Sequence, residues 1–245
     1  MRNDVVELGF RNMDPFVADL FCLVLRQVKK NIEDDKVSNK YVCEFSYSYL
    51  KRVFLLDNHY TKTKTSTKID DFREAVLTTY YEFIDENTER YTVVFTQIEN
   101  DKKNDILRIK INPDFYEFFL PRSKFTYFSL MEFISLKTMY SKRLFIMLKQ
   151  FRTTGYRRIS VEAFREYMGA DGKTYDDYAQ LKRRVLLPAV NELVKKNYIK
   201  GLQVEEIKGN NGRKVESLLF RFVPRTYGYC DMVSSNIPVT SLNDG

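Results

Sequence analysis

The same order of elements runs twice along this chain. Val24-Leu25-Arg26-Gln27-Val28 resembles Met147-Leu148-Lys149-Gln150-Phe151. Phe45-Ser46 followed by Leu50-Lys51 corresponds to Ile159-Ser160 followed by Phe164-Arg165. Phe72-Arg73 with Val76-Leu77 corresponds to Leu181-Lys182 with Val185-Leu186, and a hairpin ending at Pro113 corresponds to one ending at Pro224. Each match is short, but all fall in one register, which two unrelated α+β domains would not produce. Each half then reads helix, strand, helix, helix, hairpin. That is the order of a winged helix, a helix-turn-helix unit followed by a two-stranded wing. The expected fold is α+β, mainly α: two tandem winged-helix domains at 1–122 and 123–225, with a flexible tail at 226–245.

Local signals place the elements. In the first half, Asp14 and Pro15 open a helix over 14–32, whose apolar positions recur at helical spacing. Strand character follows over 37–45, and a short helix over 46–55. A polar basic loop, HYTKTKTSTK, fills 59–68. Thr67 and Asp70 have capping-box spacing ahead of DFREAVLTTYYEFID, read as an amphipathic helix. β-Branched runs at 90–98 and 106–111 flank a polar turn and read as the first wing. A short aromatic helix is expected over 114–120. In the second half a helix spans 129–151, with a break near Ser135 or Ser141. A strand at 157–159, a helix at 160–168 and a loop at 169–173 precede the longest signal. Strands at 198–206 and 215–223 form the second wing around a turn rich in Gly and Asn, where Gly209 and Gly212 permit tight folding.

That longest signal is 174–196, TYDDYAQLKRRVLLPAVNELVKK. Thr174 and Asp177 have capping-box spacing and announce its start. At about 100° per residue, Tyr178, Leu181, Val185, Leu186, Ala189 and Leu193 fall on one arc, built for a core. Gln180, Arg183, Arg184 and Asn191 fall on the other. Guanidinium and amide groups are the side chains that read base edges in a major groove. Lys182 projects nearer the apolar side and is expected to reach a phosphate past the helix edge. Taken alone, the stretch also fits a surface helix with a solvated basic face. Pro188 lies inside it, so either the helix bends at Leu187 or a second segment starts there.

Charge separates the halves. Residues 1–122 carry 19 Lys and Arg against 21 Asp and Glu, a net −2, whereas residues 123–245 carry 21 against 12, a net +9, which together give the chain's +7. A half this basic suits a polyanion. At the positions matching Lys182, Arg183 and Arg184 the first half has Arg73, Glu74 and Ala75. The second half is therefore expected to supply most DNA affinity. The first either binds DNA through Lys62, Lys64 and Lys68 or serves mainly as a protein interface.

Several chemistries find no support. His59 is the only histidine. It argues against a nickase built on paired histidines, against a zinc site with the scattered Cys22, Cys43 and Cys230, and against Ser-His catalysis. MGADGKT resembles a phosphate loop, but Gly169 and Gly172 stand too close together for that motif. Asp70-Asp71 and Asp176-Asp177 sit in first helical turns, where they offset the helix dipole. No catalytic residue, metal or cofactor is expected. No apolar run approaches the roughly 18 residues of a membrane helix. MRNDVVELGF lacks the pattern of a signal peptide, and the cysteine usage points to a reducing cytoplasm.

SLKTMYSKRLFIMLKQF, RRISVEAFREYMG, YAQLKRRVLLPAVNEL and GRKVESLLFRF together resemble the iteron-binding plasmid replication initiators. The resemblance follows element order over 14–223 and is most specific over 135–222. It implies two winged-helix domains that bind tandem origin repeats as monomers, help open the duplex and recruit host replication proteins. It also implies a homodimer, joined through the first domain, that represses its own gene at an inverted-repeat operator. The family's recognition helix carries over onto Gln180, Lys182, Arg183 and Arg184, and its wing onto Lys208, Arg213 and Lys214. A winged-helix transcriptional regulator is the rival reading; a DNA-processing enzyme is a third.

Overall fold

Helix α1, Pro15–Glu33, begins where the sequence places it: Asp14 Oδ1 accepts the Phe16 N–H at 2.9 Å, and Pro15 occupies the first turn. The computed structural model describes residues 14–55, 73–74, 80–84, 89–101, 103–119, 126, 128–209, 212 and 214–225. After α1 come β1 (Val42–Ser46) and α2 (Tyr47–Leu55), β2 (Tyr80–Ile84) and β3 (Glu89–Val93), then β4 (Phe95–Asp101), β5 (Ile106–Ile111) and α3 (Pro113–Phe119). Two helices follow, α4 (Leu130–Ser135) and α5 (Met139–Gln150), and then β6 (Tyr156–Ser160) and α6 (Val161–Met168). A single 3-10 turn, Lys173–Tyr175, leads to α7 (Tyr178–Leu181), a widened π turn (Lys182–Leu186) and α8 (Leu187–Lys196). The wing strands β7 (Gln203–Lys208) and β8 (Val215–Arg221) complete the described chain.

The duplication is visible in the sheets. In the first half the strand order is β1-β5-β4, and in the second β6-β8-β7; all pairs are antiparallel. In both, the last strand of the wing lies between the opening strand and its own hairpin partner. The matched serines also do the same job. Ser46 Oγ accepts the Tyr49 N–H and Ser160 Oγ accepts the Ala163 N–H, each at 3.1 Å, turning strand into helix.

The structure corrects several expectations. Residues 37–39 are irregular chain with a bend at Ser38, residues 40–41 are a turn, and β1 starts at Val42. The helix expected over 71–85 does not reach its end: residues 73–74 are helical, but Tyr80–Ile84 pairs with Glu89–Val93 as a β-hairpin. Tyr, Phe and Ile favour a pleated surface over a helix interior. Among the described residues, this hairpin has no counterpart in the second half. The run at 90–98 divides at Val94, since β3 pairs with β2 while β4 pairs with β5. Asn112 fixes the crossing, donating its backbone N–H to Val94 O at 2.9 Å and its Nδ2 to Val93 O at 3.0 Å. The helix break falls after Ser135, and Thr138 Oγ1 accepts the Ser141 N–H to start α5. Residues 198–202 are not strand. Asn197 ends α8 at φ 53°, and Tyr198 turns inward, its hydroxyl 2.6 Å from Ser135 Oγ and its ring edge-on to Phe145. The expected tail, 226–245, lies outside the described residues.

The buried side chains form one continuous cluster through both halves. Its axis is α5, in which Leu144 through Leu148 are at most 2% exposed. Three cations of α5 are buried too, each with partners. Lys149 Nζ meets Glu132 Oε2 at 3.0 Å and stands over the Phe145 ring. Arg143 donates to Tyr167 O. Lys142 Nζ lies 2.6 Å from Asp19 Oδ1 of α1, with both side chains fully buried, and donates to Phe133 O at 2.7 Å. Burial pulls the Lys142 ammonium below its ordinary pKa, and Asp19 opposes that shift. Removing one partner of such a pair leaves an uncompensated charge, whereas replacing both with apolar groups need not destabilise. Lys142→Met should therefore cost about 3–5 kcal/mol in urea unfolding, and adding Asp19→Leu should restore most of the loss. A single variant as stable as the parent would show that the pair does not hold α5 against α1.

Candidate nucleic-acid interface

The helix-turn-helix of the second half is α6 and residues 178–196. Gly169 ends α6 at φ 60°, a left-handed conformation that favours glycine. Arg165 then staples the connection, its Nε donating to Tyr175 O at 2.9 Å and its Nη2 to Asp176 O at 3.4 Å. The second helix starts at Asp177 and not at Thr174. Asp177 Oδ1 accepts the Ala179 N–H at 3.0 Å, while Thr174 lies within the preceding 3-10 turn.

Pro188 does not break this helix. Proline lacks an N–H, and its ring crowds the carbonyl four residues earlier. The turn before it widens, so that Leu187 N–H donates to Lys182 O, five residues back. Pro188 then occupies the first turn of α8, where no N–H is required. Of the two readings of the sequence, the second fits: a second segment starts at Leu187, within a continuous helical path.

The two arcs separate as their spacing dictates. Leu181, Val185, Leu186, Ala189 and Leu193 are at most 1% exposed, whereas Arg183, Arg184 and Asn191 are exposed and Gln180 is half-buried. Arg183 Nη2 donates to Gln180 Oε1 at 2.9 Å, so the amide orients the guanidinium while its remaining donors face outward. Among the described residues, no carboxylate forms an ion pair with Arg183 or Arg184.

Lys182 has a different neighbour from the phosphate expected of it. Its Nζ lies 2.7 Å from Glu206 Oε1 on β7, joining helix to wing. Burial alone would raise the Glu206 carboxyl, but the Lys182 ammonium and neighbouring donors hold it below the ordinary carboxylate range. Tyr178 lies against the same carboxylate without a well-formed hydrogen bond; burial, with Glu206 beside it, pushes its phenol up. Neither Glu206 nor Arg165 stood out in the sequence. Their partners lie on another element or are backbone carbonyls, and no spacing rule signals either. The one hint at Glu206 is the adjacent pair Glu205-Glu206, which breaks the alternation of β7.

At the wing tip, Lys208 is exposed, Gly209 N–H donates to Lys214 O at 3.0 Å, and Gly212 adopts φ 66°. Lys214 is 80% exposed and stands 3.8 Å from Glu162, a loose pair in water. The structure thus groups Gln180, Arg183, Arg184 and Asn191 on one helix face, with Lys182 at its edge and Lys208 and Lys214 on the wing. Arg213, Lys62, Lys64 and Lys68 lie outside the described residues, as do His59 and Cys230. In the first half, Arg73 and Glu74 are helical and exposed at the matching positions. Cys22 and Cys43 are buried and unbridged, and burial pushes both thiols up. Among the described residues, no helix is long and apolar enough to cross a membrane.

Comparison with known proteins agrees with this architecture. The family model described as Initiator Replication protein, WH1 matches residues 1–149, and that described as Initiator Rep protein, WH2 matches residues 160–222. A curated relative, a probable replication protein Rep of Bifidobacterium longum (strain NCC 2705), is 30% identical over 185 residues, which are 75% of this chain and 60% of the relative. The chain thus spans about three fifths of that relative's length. The crystal structure of the Pi initiator protein in complex with iteron DNA superposes with a TM-score of 0.67 at 17% identity, covering 91% of this chain and 96% of that one. Domains 2 and 3 of RctB superpose with a TM-score of 0.55 at 12% identity, covering 86% and 83%. These likenesses share the fold, two winged helices in tandem. With its WH1 and WH2 regions matched in order, the chain belongs to the initiator replication protein family.

Proposed function

We propose that this chain initiates plasmid replication by binding double-stranded origin DNA in a sequence-specific manner, without catalysis of its own. One observation carries the reading. The helix at 178–196 seals one side in the core and holds Arg183 and Arg184 outward on the other, with the wing ion-paired beside it. A guanidinium can donate two hydrogen bonds to guanine O6 and N7, and a Gln or Asn amide can pair with adenine N6 and N7. Lys208, Arg213 and Lys214 meet phosphates, which position the domain without reading sequence. Tandem repeats as the target are supported by the fold shared with the Pi initiator, which was crystallised on iteron DNA.

The halves divide the work. The net positive charge of 123–225 suits it as the main DNA-binding domain, and the slight acidity of 1–122 suits it to protein contacts. Lys62, Lys64 and Lys68 give the first domain an auxiliary DNA contact. The protein works in the bacterial cytoplasm as a monomer on origin repeats. A homodimer joined through the first domain represses its gene at the operator, and host replication proteins complete the origin complex. Sedimentation should show a dimer that gives way to a monomer when one repeat is added. A monomer at every concentration would remove the repressor dimer.

Binding measurements on the DNA beside its own gene separate the roles. Arg183→Ala or Arg184→Ala should cost about 1–3 kcal/mol of specific binding and relax the preference at one base pair. Lys214→Ala should weaken all sequences alike and flatten the slope of log K against log salt by about 0.9. Unchanged specificity in both arginine variants would reject the helix as the reader.

Glu206→Gln should do the reverse of Lys214→Ala. It frees Lys182 for a phosphate and removes a negative charge, so binding tightens on every sequence and the salt slope steepens by about 0.9. It also alters acid stability. The Glu206 carboxyl is held below its unfolded value of 4.5, so its contribution is present above that pH and lost as pH falls through the folded pKa. The glutamine variant should lack that component of acid unfolding. An unchanged salt slope would leave Lys182 as a structural tie alone.

A further inference from the structure

The outward side of residues 178–196 carries apolar groups that the proposed arginine and amide contacts do not use. Leu187 is 37% exposed and Val194 50% exposed, on a helix whose opposite side buries Val185, Leu186, Ala189 and Leu193. At about 100° per residue within α8, Leu187, Asn191 and Val194 share one stripe. Leu187 follows Arg183 by four residues and continues its line along the helix. A lone exposed leucine is ordinary on a protein surface. Here it stands among Arg183, Arg184 and Asn191, all exposed, where a solvated face would be expected to carry another polar group.

A stripe of donors with an apolar centre complements the floor of the major groove. There the acceptors of guanine and adenine are interrupted by the C5 methyl of thymine, which apolar side chains contact. Four helical residues advance about 6 Å, close to two base-pair steps at about 3.4 Å each. Val194 lies about 10 Å further along the axis, in the last turns of the helix, whereas the N-terminal part of a recognition helix enters the groove.

We infer that Leu187 is a specificity-determining residue that packs on the methyl group of a thymine about two base pairs from the guanine read by Arg183. The inference rests on the DNA-reading role proposed for this helix and adds to it a contact that no hydrogen-bonding residue supplies. Replacing that thymine with deoxyuridine removes the methyl and leaves every hydrogen-bonding group in place.

The test uses the full chain and a duplex that it selects from a random pool. Each thymine of the selected site is replaced in turn by deoxyuridine, and Kd is measured for the parent, Leu187→Ala, Leu187→Met and Arg183→Ala proteins. At one thymine, about two base pairs from the guanine to which Arg183→Ala becomes indifferent, loss of the methyl should weaken the parent about fourfold, the effect of withholding one buried methyl group. Leu187→Ala should show no such loss at that position, and Leu187→Met should retain it. Equal urea midpoints for the four proteins exclude a folding effect. Methyl sensitivity that persists in Leu187→Ala, a parent indifferent to every methyl, or a selected site with no thymine at that spacing would overturn the inference while leaving the arginine contacts standing. A pool that yields no preferred duplex would instead reject the DNA-reading role itself, and Leu187's part with it.

Discussion

A buried lysine ties helix α5 to helix α1. Lys142 of α5 and Asp19 of α1 are 123 residues apart in sequence and 2.6 Å apart in space, with no exposed side-chain surface. Two charges removed from water are tolerable only when each is paired and the remaining donors are satisfied. Phe133 O takes a second Lys142 hydrogen bond, and the Phe133 ring packs beneath the ammonium at 4.7 Å. One cation on α5 thus joins α1 to the end of α4. An apolar contact there would tolerate sliding. A desolvated ion pair has one good geometry, which fixes how α5 packs against α1.

Duplicated topology has not kept duplicated chemistry. Both halves place the last wing strand centrally and start the next helix from a strand-ending serine. The first half then inserts the β2–β3 hairpin, where Tyr91 and Val93 are well exposed, and carries Arg73 and Glu74 where the second has Lys182 and Arg183. Core positions are constrained by packing, so the architecture survives divergence. Surface positions follow use. In the second half, Arg183 and Arg184 remain outward, and Lys182 ties the helix to the wing through Glu206. The tie fixes the spacing between helix and wing, which the proposed division into base-reading and phosphate contacts requires.

The repeat, the start of α1, both wings and the apolar face of 178–196 were legible because local periodicity or capping determines each. Asp14, Ser46 and Ser160 act within three residues of themselves, a range that sequence exposes directly. What was missed depends on distant partners. Tyr80–Ile84 carries residues that suit a strand, but only pairing with Glu89–Val93 decides the matter. The run at 90–98 showed no interruption, because the split at Val94 is enforced by Asn112 from another segment. The start at Asp177 lost to Thr174 because both offer a capping oxygen three residues apart. The preceding 3-10 turn, stapled by Arg165, determines which one is used. For the site, exposure of Arg183 and Arg184 followed from spacing, whereas the Lys182–Glu206 pair required the fold of the wing.

Pro188 links the local and the global. In an ordinary α-helix it would leave the Arg184 carbonyl unbonded and clash with it. A sharp kink would swing Leu193 and Ala189 off the core that Val185 and Leu181 already fill. Widening the turn at Lys182–Leu186 absorbs the proline without that cost. Leu181, Val185, Leu186, Ala189 and Leu193 all stay buried on both sides of the irregularity. The same widening leaves the backbone of Arg183 and Arg184 in the looser turn, at the point where the outward face is most basic. A proline that looked like an interruption in the sequence therefore marks the segment where the helix departs from regular geometry while both of its faces keep their roles.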